Sequence, residues 1–178
     1  MTRETHEKGG HIFALLALPS LYNNYLIDYN FTYKIILLFI YAYFASLGSL
    51  VPDIDMKGSY ISKKFLLVHK IFGKKLRHRG FTHSFLFMGI LTYFAELTLT
   101  YTDNNIVFIC LFSGLITGTL SHICLDLFTK EGVELLYPIS VNFSVLPIKT
   151  SSKLEKNICK VLHLLVVFLL GYRFYLFI

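Results

Sequence analysis

Long apolar runs alternate with short polar segments along most of this chain. Four runs are long enough to cross a bilayer as helices, at 31–51, 84–101, 106–128 and 158–178. A shorter run at 9–21 contains Pro19, so this helix either spans the bilayer or is re-entrant. The pattern predicts an all-α, polytopic membrane protein with about five helices, the first of them short.

The segments between these runs are of different kinds. Pro52 ends the second run, because the residue before a proline is disfavoured in helical geometry. The loop from Lys57 to Arg79 contains eight lysines and arginines. The stretch 129–157 contains Pro138 and Pro147, and we expect it to lie along the surface. Since no repeat or linker divides the chain, residues 1–178 are predicted to form a single membrane-embedded domain.

Composition supports the membrane assignment. Hydrophobic residues make up 54% of the chain and charged residues 16%, whereas about a quarter of the residues are charged in soluble domains. The net charge of +6 does not indicate nucleic acid binding, because the basic residues are not interleaved with aromatic residues in a soluble domain. The three cysteines lie inside apolar runs and are expected to be buried thiols without disulfides.

The basic residues predict which ends of the helices face the cytoplasm. If the first run is a crossing, 15 lysines and arginines fall on one side, and only Lys34 and Arg173 fall on the other. Because cytoplasmic loops of membrane proteins are enriched in these residues, the first side is predicted to be cytoplasmic. The amino terminus would then be inside the cell and the carboxyl terminus outside, in the inner (cytoplasmic) membrane.

The segment SHICLD at 121–126 carries the first chemical indication. His122 and Asp126 are four residues apart, so they share one face of a helix near the end of an apolar run. Ionisable side chains are costly in a membrane and usually have a function there. One interpretation is a buried hydrogen bond between the two side chains that holds helices together. The other is that the pair forms half of a metal site.

Further residues of the same types favour the metal site. Each lies at a predicted cytoplasmic helix end, and together with the first pair they form one candidate ligand set: His11, Asp53, Asp55, His83, His122 and Asp126. Imidazole and carboxylate groups suit zinc, manganese or iron, with zinc as the first expectation. The sequence therefore predicts a divalent metal site at one membrane face.

The number of these residues indicates two ions. Three imidazoles and three carboxylates exceed the needs of one tetrahedral zinc, whereas two metals share a bridging carboxylate and activate a water together. Phosphoester hydrolysis commonly uses such a pair. Either Asp53 or Asp55 could bridge. We expect Asp53, Asp55, His83, His122 and Asp126 to be the catalytic residues.

Neighbouring residues have alternative interpretations. Arg79 is a candidate ligand for a substrate phosphate or one more positive charge that sets the topology. His78 is a candidate substrate-binding residue, an alternate metal ligand or a solvated loop residue. Thr82 or Ser84 is predicted to cap the helix at 84–101. His6 and His69 are expected on the surface. Glu134 is either a local addition to this segment without a role in the site or an extra metal ligand.

Several of these segments together resemble a known family. The segments GSLVPDID (48–55), HRGFTHS (78–84) and SHICLD (121–126), with Gly132 and the Tyr137-Pro138 pair beyond them, are similar in order and content to the YdjM-type family. His11, which follows two glycines, resembles its amino-terminal motif. That family is described as LexA-binding, inner-membrane-associated, metal-dependent hydrolases. The resemblance implies a membrane-embedded helical fold and metal-dependent hydrolysis, without a substrate.

We therefore expect a membrane-embedded metal-dependent hydrolase, phospholipase-like, that cleaves a phosphoester in a lipid or lipid-linked substrate. The depth of the site at the headgroup level favours such a substrate. No nucleic acid partner is expected. The alternative is a non-catalytic membrane protein with a structural metal, which binds a cytoplasmic regulator through its basic loop. A metal transporter would need polar residues across the whole membrane, and here they are concentrated at one face.

Overall fold

The computed structural model describes residues 1–73 and 77–177. Lys74 and Lys75, two of the eight basic residues of the long loop, lie outside the described residues, as does Ile178 at the end of the last predicted run. The described helices are α1 (Arg3–Leu21), α2 (Phe31–Gly48), α3 (Tyr60–Lys64), α4 (Leu66–Val68), α5 (Phe85–Tyr101), α6 (Ile106–Leu127) and α7 (Lys153–Phe177). The five long ones correspond to the five predicted runs.

These helices confirm the prediction of an all-α polytopic membrane protein. Three of them are long and apolar enough to cross a membrane: α2, α6 and residues 153–176 of α7. α5 is also apolar, with 17 residues. The described residues contain no β-strand, only two isolated bridges that join Thr129 to Ile148 and Val133 to Phe143. Both bridges lie in the irregular segment between α6 and α7.

Polar side chains start three of the long helices. Asn30, Ser84 and Asn105 each accept a hydrogen bond from a backbone N–H in the first turn of α2, α5 and α6 respectively. Each cap satisfies a donor that has no partner within the helix. The predicted cap at Ser84 is confirmed, and it fixes the start of α5 directly after a 3-10 turn at Phe81–His83.

The prediction of a short first helix is wrong. α1 begins at Arg3 and has 19 residues, so it extends over about 28 Å. The hydrophobic pattern missed its first two turns because they contain charged residues, and Arg3 and Glu7 pair on the exposed side of these turns. On the other side Thr5 and His6 are fully buried.

α6 is the central helix and packs against α1, α2 and α5. Its contact with α2 is made by glycines: a Cβ atom on Gly114 would clash with the Tyr41 carbonyl oxygen, and one on Gly118 with that of Ala45. Gly48 on α2 meets the backbone of α6 in the same way. The two helices therefore touch backbone to backbone, as small residues allow in membrane proteins.

The interior of the bundle is divided into two halves. The apolar half includes Leu18, Leu37, Tyr41 and Ile109. At the other end the buried side chains are largely polar. There Glu155, at the start of α7, accepts a hydrogen bond from the Thr5 hydroxyl at 3.2 Å and ties α7 to α1.

Substitution of Gly118 by leucine should disrupt the bundle. The new side chain would displace the backbone of α2, so we expect a loss of about 3 kcal/mol or more in the free energy of unfolding. Thermal unfolding in detergent measures this change. Gly89→Leu on α5 is the control, because nothing lies within 4 Å of a Cβ there. Equal stability of the two variants would contradict the close contact.

Candidate metal centre

One face of α6 joins the glycine contact to the candidate ligands. Gly114, Gly118, His122 and Asp126 follow each other at four-residue intervals, so they form a single stripe along the helix. The glycines bring this stripe against α2, and the next turn places the His122 ring against the end of α2. There His122 Nδ1 lies 2.6 Å from the carbonyl oxygen of Ser49.

Side chains from other parts of the chain meet this stripe. Three groups of side chains each offer ligand atoms within 4.8 Å of one another: His6, Asp53 and His122; His83, His122 and Asp126; and Asp53, Asp55 and His78. Five of the six residues predicted as ligands are therefore brought together. His6 and His78 join them, and His11 does not.

The hydrogen bonds of His83 and His122 fix where their lone pairs point. A carbonyl oxygen only accepts, so His122 Nδ1 donates its hydrogen to Ser49. The Thr82 hydroxyl donates to Asp55 at 2.8 Å and therefore accepts from His83 Nδ1 at 3.0 Å. Burial, and then the neighbouring His122 ring, hold the pKa of His83 well below its ordinary value, so this ring is neutral.

Both rings then direct their Nε2 atoms to the same place. The two Nε2 atoms are 3.1 Å apart. A divalent cation beside them would bind both nitrogens. A metal-bound histidine commonly donates its other N–H to a backbone carbonyl or to another protein group, as both rings do here.

Two carboxylates complete this arrangement. Asp126 Oδ2 lies 3.8 Å from Nε2 of both histidines, and Asp53 Oδ1 lies 4.0 Å from His83 Nε2 and 3.8 Å from His122 Nε2. Two donors bound to one first-row metal at about 2.0–2.2 Å lie no more than about 4.4 Å apart. The two Nε2 atoms together with Asp126 Oδ2, or together with Asp53 Oδ1, are therefore close enough to bind one divalent cation.

His6 is a candidate ligand that the sequence analysis placed on the surface, and that prediction is wrong. Its ring is fully buried and stacks on the His122 ring, with centroids 3.7 Å apart. His6 Nε2 is 3.3 Å from Asp126 Oδ1, but neither ring nitrogen has an aligned hydrogen bond. A buried imidazole without hydrogen bonds is costly, and a bound cation would satisfy it.

The third group lies nearer to solvent. Asp55 is buried, whereas 38% of the His78 side chain is exposed, and His78 Nδ1 lies 2.8 Å from Asp55 Oδ1. Burial lowers the pKa of His78, but the hydrogen bond to Asp55 and the charge of that carboxylate raise it above its ordinary value. Asp53 belongs to both this group and the first one.

Arg79 is held by protein groups on several sides. Its Nη2 lies 3.2 Å from Asp126 Oδ2, and its Nη1 donates to the Thr129 hydroxyl at 2.7 Å and to the Gly132 carbonyl at 3.1 Å. The amino group of Met1 approaches the other oxygen of Asp126 at 2.6 Å. Arg79 thus orients Asp126 and anchors the segment after α6. Its predicted contact with substrate remains a prediction.

His11 lies outside the three groups, contrary to its predicted place in the cluster. It lines a separate apolar groove with Leu15 and Leu18. His6 and His11 are five residues apart, so they project about 140° apart around α1 and cannot both face one centre. Gly9 and Gly10 follow His6 by three and four residues, so they lie on the same face of α1 as His6. They allow this face to approach α6 and α2 closely.

Glu134, left open by the sequence, is in none of the three groups. Its carboxylate pairs with Arg77 Nη1 at 3.0 Å, and its backbone N–H donates to the Arg79 carbonyl oxygen. Glu134 therefore holds the segment after α6 against the loop that contributes His78 and Arg79.

Fold and site together define a polytopic helical membrane protein with a buried histidine–aspartate centre at one end of its bundle. Over residues 1–178 the chain matches the family model described as YdjM inner membrane protein, and it belongs to that family. The resemblance found in the sequence is thereby confirmed. Family membership and the three apolar helices support a location in the inner membrane.

Individual relatives agree with this membership. The chain is 38% identical over 113 residues to the uncharacterized protein YvsG of Bacillus subtilis, which covers 62% of this chain and 66% of YvsG. It is 35% identical over 121 residues to the inner membrane protein YdjM of Escherichia coli, covering 66% of this chain and 60% of YdjM. The chain thus spans less than two thirds of the length of these relatives. No solved structure matches it.

Alanine substitutions on α1 test which histidine belongs to the centre. Loss of even a residue that orients a ligand typically weakens metal affinity by about 10- to 100-fold, so His6→Ala should lower the affinity at least about tenfold. His11→Ala is the matched control on the same helix and should keep the wild-type affinity. Titration with zinc, followed by elemental analysis of the purified protein, measures both. Metal loss in His11→Ala alone would contradict the assignment of His6.

Proposed function

We propose that this protein is a membrane-embedded metal-dependent hydrolase that cleaves a phosphoester in a lipid or lipid-linked substrate. The observation that carries the proposal is the pair of Nε2 atoms of His83 and His122, 3.1 Å apart and flanked by Asp53 and Asp126. Imidazoles and carboxylates converging in this way are a donor set for zinc, manganese or iron.

Two ions are part of the proposal. The first would be held by His83, His122 and Asp126, with His6 beside them and Asp53 Oδ1 within 4.0 Å of both Nε2 atoms, and the second by Asp53, Asp55 and His78. Asp53 is the carboxylate common to both sets, which suits a bridging position. A bound divalent cation lowers the pKa of water and polarises a phosphoryl oxygen, which is the chemistry that hydrolysis needs.

Partial exposure of two candidate ligands favours a catalytic centre over a structural one. The side chain of Asp53 is 18% exposed and that of His78 is 38% exposed, so a substrate could approach these ligands from solvent, as a catalytic metal with an open coordination position requires. Asp53 also lines a cleft of about 310 Å³ with Arg3 and Tyr60. The Arg3 guanidinium lies 3.6 Å from the centre of the Tyr60 ring, where it would attract a phosphate group that enters the cleft.

The position of the cleft supports a lipid substrate. It lies where α2 ends and α1 begins, at one end of the apolar helices and so at the level of lipid headgroups. A phosphoester in a headgroup would reach Asp53 there without leaving the membrane surface. Membrane lipid is therefore the proposed partner, and no nucleic acid partner is proposed.

Turnover measurements test the proposal. Purified protein should hydrolyse at least one substrate in a panel of phospholipids and lipid phosphates. His122→Ala and Asp53→Asn should each reduce the rate about 100-fold or more, together with the metal content. His163→Ala is the control, because this histidine is exposed on α7 and outside the three groups.

The same samples distinguish the alternative. Full metal content without turnover on any phosphoester would contradict the enzyme and support a structural metal in a protein that binds a cytoplasmic regulator. Loss of metal and of activity together in His122→Ala, with both retained in His163→Ala, would support the hydrolase.

We also propose that the metal centre faces the cytoplasm, since 15 of the 17 lysines and arginines belong to that side in the predicted topology. In a background without native cysteines, Asp28→Cys in the turn before α2 should react with an impermeant thiol reagent from outside the cytoplasmic membrane. Lys57→Cys, beyond the other end of α2, should react only after the membrane is opened. The reverse labelling would overturn the orientation.

A further inference from the structure

Glu96 on α5 is a carboxylate in an apolar stretch of helix. α5 packs against α6, and Glu96 is exposed, as are its apolar neighbours Tyr93 and Leu97. Within residues 1–73 and 77–177 the carboxylate of Glu96 takes part in no hydrogen bond or ion pair. Because α5 is an apolar helix of 17 residues, this carboxylate would face lipid hydrocarbon in a single copy of the protein, which is costly.

Arg173 on α7 is a cation in an apolar groove formed by three other helices, α1, α2 and α7. The groove has a volume of about 450 Å³, and its walls include Leu18, Leu38, Ala42 and Leu170. Arg173 Nε donates to the Leu15 carbonyl oxygen at 3.0 Å, and the guanidinium lies 5.6 Å from the centre of the Tyr172 ring. In the part of the chain that the structure describes, Arg173 forms no ion pair.

The depth of Arg173 in the bundle follows from its contact with α1. Leu15 is nine residues beyond His6, so it lies about 14 Å along α1 from the level of the metal centre. The hydrocarbon core of a bilayer is about 30 Å thick. The guanidinium is therefore near the middle of the apolar span, far from the lipid headgroups.

Glu96 lies at nearly the same depth. The Phe94 ring contacts the Phe112 ring of α6, with centroids 6.0 Å apart, and Phe112 is ten residues from His122, about 15 Å along α6. Glu96 follows Phe94 by two residues, about 3 Å further along α5. Side chains lean towards the amino-terminal end of their helix, which for α5 is the metal-centre end next to His83. The carboxylate thus leans back towards the depth of the guanidinium.

We propose that α5 of a second copy docks in this groove and that its Glu96 forms an ion pair with Arg173. All copies of a membrane protein insert with the same orientation, so residues of two copies can meet only at equal depth. The two charges meet this condition and have opposite signs. Tyr93, one turn from Glu96, would bring an aromatic side chain to the apolar walls. The surface is separate from the three groups of candidate metal ligands and does not depend on the proposed hydrolase.

The charge of Arg173 favours a second copy over a lipid as the occupant of the groove. An acyl chain would suit the apolar walls, but it has no acceptor for a guanidinium at this depth, because lipid phosphates lie at the membrane surface. Docking of α5 would instead remove two unpaired charges from hydrocarbon at once. A carboxylate and a guanidinium also form strong, charge-assisted hydrogen bonds.

The proposed contact joins two different surfaces, so it is heterologous. Each copy offers α5 to one neighbour and its groove to another, and such contacts close into a ring or continue as an open chain. Two variants that each lack one half of the ion pair should therefore complement each other. A copy without Glu96 keeps a working groove, and a copy without Arg173 keeps a working α5.

Native mass spectrometry of the full-length chain in mild detergent tests this contact. The wild type should form oligomers, and Glu96→Gln and Arg173→Gln should each weaken association about tenfold or more, because each leaves one charge unpaired. A mixture of these two variants, with tags of different mass, should restore complexes that contain one copy of each.

Two charge-removing variants are controls for this experiment. Asp103→Asn removes a carboxylate from the turn after α5. Lys34→Gln removes a cation that lies outside the groove and donates to the Ile27 carbonyl oxygen at 2.8 Å. Both should assemble like the wild type.

A further variant tests the groove itself and is informative even if Arg173→Gln fails to fold. Ala42 is exposed and lines the groove, so Ala42→Phe would fill it without disturbing the interior and should prevent assembly. Ile36→Phe, at an exposed position of α2 that is not part of the groove wall, should assemble normally.

Three results would overturn the proposal. The first is a monomeric wild type, with or without a bound lipid that Ala42→Phe displaces. The second is assembly that survives Glu96→Gln or Ala42→Phe. The third is a mixture of folded Glu96→Gln and Arg173→Gln proteins that stays monomeric.

Discussion

The backbone contact between α2 and α6 is the constraint on which the rest of the structure depends. Gly114 and Gly118 let α6 approach the carbonyl oxygens of α2, and the next turn of the same stripe then holds His122 against Ser49. That hydrogen bond fixes the tautomer of the ring and aims its free nitrogen at His83. A side chain at either glycine would separate the helices, and both the hydrogen bond and the convergence of donors would be lost.

The sequence predicted the class of fold and most of the candidate centre because both follow from local rules. Hydropathy and length identify the long apolar helices, and helix ends are where imidazoles and carboxylates are least costly in a membrane. The four-residue spacing of His122 and Asp126 is a property of any helix. Asp53, Asp55 and His83 could be placed beside them because the turns that bear them join helices at one end of the bundle.

What the sequence did not predict depends on packing between distant segments. A hydropathy count ends a helix at the first charged turn, so it excluded the turn of α1 that buries His6 while Arg3 and Glu7 face outward. The irregular segment after α6 has no periodicity to interpret. Its position depends on Arg79, whose φ of 67° is left-handed and whose contacts with Thr129 and Gly132 are about 50 residues distant in sequence.

Helices that meet through glycine backbones have no flexible side chains between them to absorb a shift, so α2 and α6 should move as one rigid body. His122 and Asp126 belong to that body, whereas Asp53, Asp55 and His83 are carried by short 3-10 turns and His6 by a helix tied to α7. Any opening of the pocket must then come from the turns and from α1. His122 and Asp126 would therefore stay fixed relative to α2, and the remaining donors would adjust their positions around them.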